Sequence, residues 1–500
     1  MRKYISLLLI GILCIGFVQG QTKSSKRGLA FNGLGAGDIE TLGPSVSWVY
    51  NWGQSVGNVD LMDAAGIEYA PMAFGNGFNA NNLLTFVAAH PSIQYLLGFN
   101  EPSQPGANGG CNLSPVQAAA IWSSVVSAAN ELGLKVVSPA MSYGASSDPA
   151  NPNNPIDWLD EFFTLVDIND IDAIAVHCYY SSYSQVINYI NMFKKYHKPI
   201  WLTEFCYEAG SGSPAVSDQI KFMVQTLDYL ESDPDIERYS WFKERGSTTG
   251  SLGNNSILVP MHDGELSDLG VIFTNISSHD QNYVFNTDFH IPACQYANNN
   301  YSVTNLELST DETGAVVVCG LNSTSWMEYK VNIPEAGDYH INFRMSNEFA
   351  PPVASSVKVL ANDIEVGNLT FDNPGQNLWT TQTCNVSLNQ GIQTIKIAVS
   401  QGRPCLNWFE ITQNTDAIDN IFDSDNINIF PNPVKDILFV QNADANSNVK
   451  IFDISGKIVY SNKISDGTVD MTSLSSGMYF LNIENNKGKT IVKKLLKGTD

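Results

Sequence analysis

Residues 95–140 read YLLGFNEPSQPGANGGCNLSPVQAAAIWSSVVSAANELGLKVVSPA. Two apolar runs, Tyr95 to Glu101 and Lys135 to Ala140, enclose one helical stretch. Ser114 is a good N-cap, Pro115 suits the first helical position, and Gln117 completes a capping box. Trp122, Val125, Val126, Ala129 and Leu132 form one apolar face, and Gly133 ends the helix. The next run begins two residues later, at Lys135. A strand, a helix and a tight return to a second strand make the repeating unit of a parallel sheet.

Outward from this unit the same alternation continues, from Lys26 to about Ser278. The apolar runs are Gly28 to Asn32, Val46 to Trp52, Ile67 to Phe74, Tyr95 to Glu101, Lys135 to Ala140, Ala173 to Tyr179, Ile200 to Glu204 and Tyr239 to Phe242. Eight such runs over about 250 residues predict a (β/α)8 TIM barrel across residues 26–278. Beyond it, over 285–412, short alternating segments such as Trp326 to Ile333, Tyr339 to Met345, Ser356 to Leu360 and Thr394 to Val399 predict a jelly-roll-like β-sandwich. Residues 413–426, polar and rich in Asp and Asn, read as a linker. A small Ig-like β domain is expected over 427–500.

With 43% apolar and 15% charged residues, the composition is that of an ordinary globular protein. The N-terminus reads as a secretory signal over residues 1–20: Arg2 and Lys3, an apolar run from Ile5 to Val18, and a small-residue cleavage site at Val18-Gln19-Gly20. Cys14 lies within the apolar run with no small residue just before it, which argues against a lipoprotein anchor. No later stretch is long and apolar enough to span a bilayer. The net charge is −23, and loss of Arg2 and Lys3 makes it −25. Such a surface repels nucleic acid and anionic lipid and is compatible with neutral polysaccharide.

Seven cysteines follow the signal: Cys111, Cys178, Cys206, Cys294, Cys319, Cys384 and Cys405. They form neither a CxxC spacing nor a Cys/His cluster, so a structural zinc site is not expected. Export makes disulfides the default reading. The last four share one module, where three pairings are open, and the odd count leaves at least one of the first three free.

The active site of a parallel barrel lies at the carboxyl ends of its strands. Two of the eight runs end in glutamate: Gly98-Phe99-Asn100-Glu101-Pro102 after the fourth and Trp201-Leu202-Thr203-Glu204-Phe205 after the seventh. Two facing carboxyl groups are what glycosidic cleavage needs, one to protonate the leaving oxygen and one to attack the anomeric carbon or activate water. With Asn-Glu-Pro after strand 4 and a second Glu after strand 7, the chain resembles the clan A glycoside hydrolases. That resemblance implies Glu101 as acid/base, Glu204 as nucleophile and a retaining double displacement. Within the clan, Gly28-Leu29-Ala30-Phe31, Tyr50-Asn51-Trp52-Gly53, Pro71-Met72, His177-Cys178-Tyr179 and Asp268-Leu269-Gly270, together with the two glutamate motifs, resemble glycoside hydrolase family 128. Its members are β-1,3-glucanases.

The resemblance implies further roles. Asn100 takes the place of the asparagine that meets the sugar 2-hydroxyl. His177 and Tyr179, ending strand 6, are placed to orient or hydrogen-bond the nucleophile, with Tyr180 an alternative to Tyr179. Trp241 sits where the clan often has an aromatic floor under the sugar, and Trp52, ending strand 2, is a second stacking candidate. Trp48 reads as packing.

In the middle module, Trp326-Met327-Glu328-Tyr329-Lys330-Val331, Pro334-Glu335-Ala336-Gly337-Asp338-Tyr339 and Leu406-Asn407-Trp408-Phe409-Glu410-Ile411 resemble carbohydrate-binding module family 6. The framework matches, but Gly320, Cys405 and Gln376 stand where that family has ligand-binding Tyr, Asn and Trp. Pro292 and Cys294 replace its calcium-holding acidic pair. A Cys319–Cys405 disulfide across the usual sugar site is compatible with the resemblance, and a structural role for the module stands beside sugar binding.

At the C-terminus, Ile429-Phe430-Pro431-Asn432-Pro433, Phe452-Asp453-Ile454-Ser455-Gly456-Lys457 and Leu474-Ser475-Ser476-Gly477-Met478-Tyr479 resemble the sorting domain of the type IX secretion system of Bacteroidetes. This implies passage through the periplasm, with release from the cell or attachment at the outer-membrane surface.

The expectation is a secreted, monomeric, retaining β-1,3-glucanase, endo-acting, whose partners are its polysaccharide substrate and the type IX machinery. No metal or organic cofactor is expected, since two carboxylates suffice. The alternatives are a clan A hydrolase of another β-glycan such as mannan, and an inactive surface glycan-binding protein.

Overall fold

The computed structural model describes residues 23–287, 289–300, 305–348, 353–372, 375–414, 427–443, 446–453, 457–464, 467–484 and 490–498. The expected signal over 1–20, most of the expected linker and the Ile454-Ser455-Gly456 part of the sorting motif lie outside them. The expected linker's first residue, Gln413, is the last of the strand Pro404–Gln413.

Eight strands open the chain: β1 Arg27–Ala30, β2 Trp48–Tyr50, β3 Glu68–Tyr69, β4 Tyr95–Leu96, β5 Lys135–Val136, β6 Ile174–Tyr180, β7 Ile200–Tyr207 and β8 Ile236–Phe242. All pair in parallel, β1 with β2, β2 with β3, β4 with β5, β6 with β7, β7 with β8, and β8 back to β1. Bridges from Met72 to Leu97 and from Val137 to Ala173 join β3 to β4 and β5 to β6, so the ring closes. Between the strands run α1 Ala36–Leu42, α2 Val59–Ala64, α3 Ala80–Ala89, α4 Pro115–Leu132, α5 Pro155–Leu165, α6 Tyr183–Phe193 and α7 Val216–Ser232, and α8 Asp268–Asn275 follows β8.

Local chemistry sets the helix ends. Ser114 accepts the Gln117 amide while the Gln117 side chain accepts the Ser114 amide, and Gly133 ends α4 at φ 68°. Trp122 on the buried face of α4 meets Phe99 edge-on at 5.2 Å, which ties the helix to the strand 4 motif. Gly98 in that motif lets two strand ends approach: a Cβ there would lie 2.7 Å from the backbone of Ser138 and Pro139.

The ring interior is filled by Trp48, Tyr50, Tyr95 and Trp201 set against Ala30, Ala70, Ala140, Ala173 and Ala175, large side chains facing small ones. Arg238 closes the end at which the strands begin, its guanidinium 4.4 Å from the Tyr95 ring centre and 4.6 Å from that of Trp201, and paired with Glu68 at 2.6 Å. The polar mouth is therefore at the opposite end, where the strands finish.

Two antiparallel sheets follow. One runs Asn305–Leu308, Val316–Cys319, Pro404–Gln413, Gly337–Asn347, Thr380–Leu388, and the other Asn298–Asn299, Trp326–Ile333, Gly391–Gln401, Ser355–Ala361, Ile364–Phe371. Inward residues alternate with outward ones, so that Tyr329, Val331, Ile341, Phe343, Ile397, Phe409 and Ile411 fill the space between. Cys319 and Cys405 are joined, whereas Cys111, Cys178, Cys206, Cys294 and Cys384 remain thiols. Export thus does not bring the other module cysteines into a bridge: Cys294 and Cys384 are buried packing residues.

The sandwich is fastened to the ring through Asp228 of α7. Fully buried, it meets Tyr296 Oη at 2.8 Å, His279 Nε2 at 3.1 Å and Asn299 Nδ2 at 3.1 Å. A carboxylate removed from water needs such partners.

The chain after Asn414 forms a separate compact unit. Its two antiparallel sheets, of three and four strands, enclose Leu438, Val449, Ile451, Val469, Leu481, Ile483 and Leu495.

Candidate active site

Glu101 leaves β4 in the left-handed region at φ 40°, its amide donating to the Ala140 carbonyl at 3.0 Å and its carbonyl accepting from Gln104 at 2.9 Å. A non-glycine residue adopts that conformation at a cost, and the flanking hydrogen bonds hold it there. Glu204 sits where the register between β7 and β8 slips, between Leu202 and Phe205. On β6, His177 pairs with Glu204, and Tyr179, two residues on, points to the same face.

These positions bring both glutamates around one histidine. His177 Nδ1 lies 3.0 Å from Glu101 Oε1 and 3.5 Å from Glu204 Oε1, and the three donor atoms lie within 4.8 Å of one another. Burial alone would push the His177 imidazole down, but the Glu204 charge and the Glu101 hydrogen bond and charge raise it overall.

Glu204 is held from three sides. Its Oε1 accepts from Trp52 Nε1 at 2.7 Å and from Tyr50 Oη at 3.1 Å, and its Oε2 accepts from Tyr179 Oη. Burial, followed by the Glu204 charge, holds the Tyr50 and Tyr179 phenols well above their ordinary value, so both remain donors. With its lone pairs met by protein donors, the Glu204 carboxyl group is fixed in position. The triad could ligate a cation by distance alone, but these donors already occupy the Glu204 oxygens that would bind it.

The carboxyl pair lies at the meeting of two cleft lobes, of about 440 and 360 Å³. The first is lined by Trp52, Phe74, Asn100, Glu204 and Phe242, the second by Ser142, Tyr143, His177, Tyr180 and Glu208, and Glu101 and Tyr179 line both. Asn100 Nδ2 donates to the Gly109 carbonyl at 3.1 Å, which leaves its buried Oδ1 without a partner.

The structure thus brings Glu101, Glu204, Asn100, His177, Tyr179 and Trp52 together. Trp52 lines the first lobe and, beyond the stacking part expected of it, donates from its ring edge to Glu204; its backbone is in the left-handed region at φ 60°. Trp241 is a correction. It is 0% exposed, donates Nε1 to the Asn255 carbonyl at 2.9 Å and meets Phe205 and Phe222 on the side away from the cleft. Successive strand residues face opposite ways, so it is Phe242, one residue on, that reaches the mouth. Trp48 is packing, stacked on Tyr50 in the interior.

Sequence patterning alone does not single out Tyr50, Ser142, Tyr143 or Phe242. For Tyr50 a signal existed, since it ends β2 two residues before Trp52, within the Tyr50-Asn51-Trp52-Gly53 motif. Tyr143 sits on a loop, where no period applies.

In the sandwich, the disulfide lies where the family 6 sugar site was expected. Trp379 packs on it and donates to Thr310 Oγ1 at 2.9 Å, and the Gly320 amide donates to Glu348.

Residues 28–273 match the glycosyl hydrolase catalytic core family. Residues 293–413 match carbohydrate-binding module family 6, and residues 428–497 match the secretion system C-terminal sorting domain. The chain therefore carries a glycoside hydrolase module followed by these two. Alkali-sensitive linkage protein 1 of Schizosaccharomyces pombe is 31% identical over 258 residues, covering 50% of this chain and 44% of that protein. The match thus spans less than half the length of that relative. A subgroup II endo-β-1,3-glucanase of family 128 from Sorangium cellulosum is 32% identical over 50% of this chain and 97% of its own, with a TM-score of 0.45. A second, from Pseudomonas viridiflava, is 28% identical over 51% of this chain and 98% of its own, also with a TM-score of 0.45. Among the described residues no helix is long and apolar enough to cross a membrane.

Proposed function

We propose that the eight-stranded ring is a TIM-barrel β-1,3-glucanase acting within chains by a retaining double displacement. Glu101 gives its proton to the glycosidic oxygen while a Glu204 oxygen bonds to the anomeric carbon and the carbon–oxygen bond to the leaving chain breaks. Water then adds to that carbon, its proton passes to Glu101, and Glu204 is released as carboxylate.

The observation that carries this reading is the closeness of the pair, with carboxyl oxygens within 4.8 Å of each other. Retaining enzymes keep the two groups about 5–5.5 Å apart, whereas inverting ones leave about 6.5–9.5 Å for a water. Three donors on Glu204 and none of these on Glu101 fit a nucleophile and an acid respectively. The β-1,3-glucan substrate is supported by the set of motifs resembling family 128. Internal cleavage is supported by a cleft that extends to both sides of the pair.

Export is part of the proposal: a signal over 1–20, periplasmic transit and type IX release or surface attachment directed by the terminal domain, for a monomeric chain divided at 26–278, 285–412, 413–426 and 427–500. Intact motifs around both glutamates favour turnover over mere glycan binding.

The test is to incubate the protein with laminarin, curdlan and mannan beside Glu204→Gln, following the anomeric proton by NMR. Laminarin hydrolysis with β-product first, lost in the variant, is the expected result. Binding without turnover, α-product first, or turnover of mannan alone would overturn it.

A further inference from the structure

Glu101 and Glu204 are held in different ways. Glu204 receives three donors directly, whereas the side-chain partner of the Glu101 carboxyl group among the described residues is His177. The place of Glu101 therefore depends on its backbone, which turns at φ 40° into the loop 102–113. That loop is closed on itself: the Cys111 amide donates to the Asn100 carbonyl at 2.9 Å and the Leu113 amide to the Pro102 carbonyl at 3.0 Å. Gly110 permits so tight a closure, since a Cβ there would lie 2.4 Å from the Glu101 carbonyl oxygen.

Asn151 joins this closure from outside the loop. Buried on the segment between β5 and α5, it donates Nδ2 to the Pro102 carbonyl at 2.9 Å. Its Oδ1 accepts from Trp158 Nε1 at 3.0 Å, and the same indole N–H lies 3.1 Å from the Leu113 carbonyl. Trp158 is fixed in turn on α5, fully buried and stacked on Phe162 at 5.0 Å. A buried amide whose donor and acceptor are both engaged is held in one orientation. The carbonyl directly after the acid is thus tied through Asn151 to α5. Asn151 lines neither cleft lobe, so it acts without touching the sugar.

We propose that Asn151 is a positioning residue for the acid/base: its bond to the Pro102 carbonyl holds the turn at Glu101, so that the carboxyl group reaches the glycosidic oxygen. This rests on the retaining β-1,3-glucanase reading above. Misplacing a reacting group by about 1 Å costs up to about 100-fold in rate, and the cost falls on the steps in which that group moves a proton.

The test measures kcat/KM of the full-length protein on laminarihexaose, whose leaving chain needs the Glu101 proton, and on β-laminaribiosyl fluoride, whose fluoride departs without one. In Asn151→Ala the first falls about 10–100-fold and the second less than about threefold. Trp158→Phe keeps an aromatic ring on Phe162 and loses the N–H that orients Asn151; it decides the matter, by the same selective loss, if Asn151→Ala does not fold. Steady-state kcat on the fluoride also falls, because Glu101 must take the proton of the attacking water. Sodium azide attacks the anomeric carbon of the glycosyl-enzyme with no proton to remove, so it restores kcat and yields β-laminaribiosyl azide as Glu204 leaves as carboxylate. Equal losses on the two substrates, unchanged activity, or no rescue by azide overturn the assignment. Failure of both variants to fold overturns it too, since the pair would then support the module and not the acid. A wild type that turns over neither substrate overturns the hydrolase reading and this inference with it.

Discussion

Removing the phenol hydroxyl of Tyr179 should slow the second half of the reaction more than the first. Among the described residues Tyr179 is the donor on Glu204 Oε2, while Oε1 receives Trp52 at 2.7 Å and Tyr50 at 3.1 Å. Tyr50 has one hydrogen and divides it between Glu204 and the Thr203 carbonyl, also at 3.1 Å. A hydrogen bond to an ionised group contributes about 1.5–3 kcal/mol, and about 1.36 kcal/mol is a factor of ten in rate. Complete loss of the Tyr179 bond therefore costs roughly 10–150-fold, and loss of the shared Tyr50 bond less, about 3–10-fold. Charge leaves Glu204 as it bonds to the sugar and returns as that bond breaks, so its donors favour the second step. Tyr179→Phe should accumulate the glycosyl-enzyme, seen in stopped-flow work as a burst of fluoride from β-laminaribiosyl fluoride ahead of a slow steady state. A Tyr179→Phe rate within about twofold of wild type, or a larger loss for Tyr50→Phe, would refute the reasoning.

Three further outcomes are expected. Trp241→Phe, which loses indole packing and the bond to Asn255, should lower unfolding free energy by about 1–3 kcal/mol while KM on laminarin stays within about twofold; a large KM change would put the ring back in the cleft. His177 is raised above its ordinary value of 6.5, so the stability it contributes is complete below that value and fades as pH climbs through the higher folded one. The gap in urea midpoint between wild type and His177→Gln should accordingly narrow as pH rises above 6.5, and a gap that widens would reverse the sign. Replacing Cys319 and Cys405 by alanine opens a closure spanning 86 residues, which on chain-entropy grounds costs about 4–5 kcal/mol, read as a lower calorimetric transition temperature; an unmoved transition would count against that account.

Ser114, Pro115, Gln117 and Gly133 fixed both ends of α4 from sequence, because capping is a contest among neighbours three or four residues apart. The eight apolar runs were equally legible, since period and punctuation are local quantities, but Glu204 lies within β7, which runs on to Tyr207, and Glu101 lies five residues beyond the end of β4. The partners of Glu204 were only half legible. His177 and Tyr179 came from a motif on one strand, but Tyr50 at the end of β2 and Trp52 two residues beyond it reach the same carboxylate across some 150 residues, a contact that no local pattern encodes.

By itself, then, the sequence determined where the eight strands lie, which residues cap α4 and which two carboxyl groups share a mouth. The side each aromatic residue faces was a matter for the tertiary structure: Trp241 is buried away from the cleft and Phe242 lines it, as successive residues of β8 face opposite ways. Only the folded ring decided that a histidine stands between the two glutamates. Those outcomes depend on distances between strands, and such distances exist only once the ring has closed.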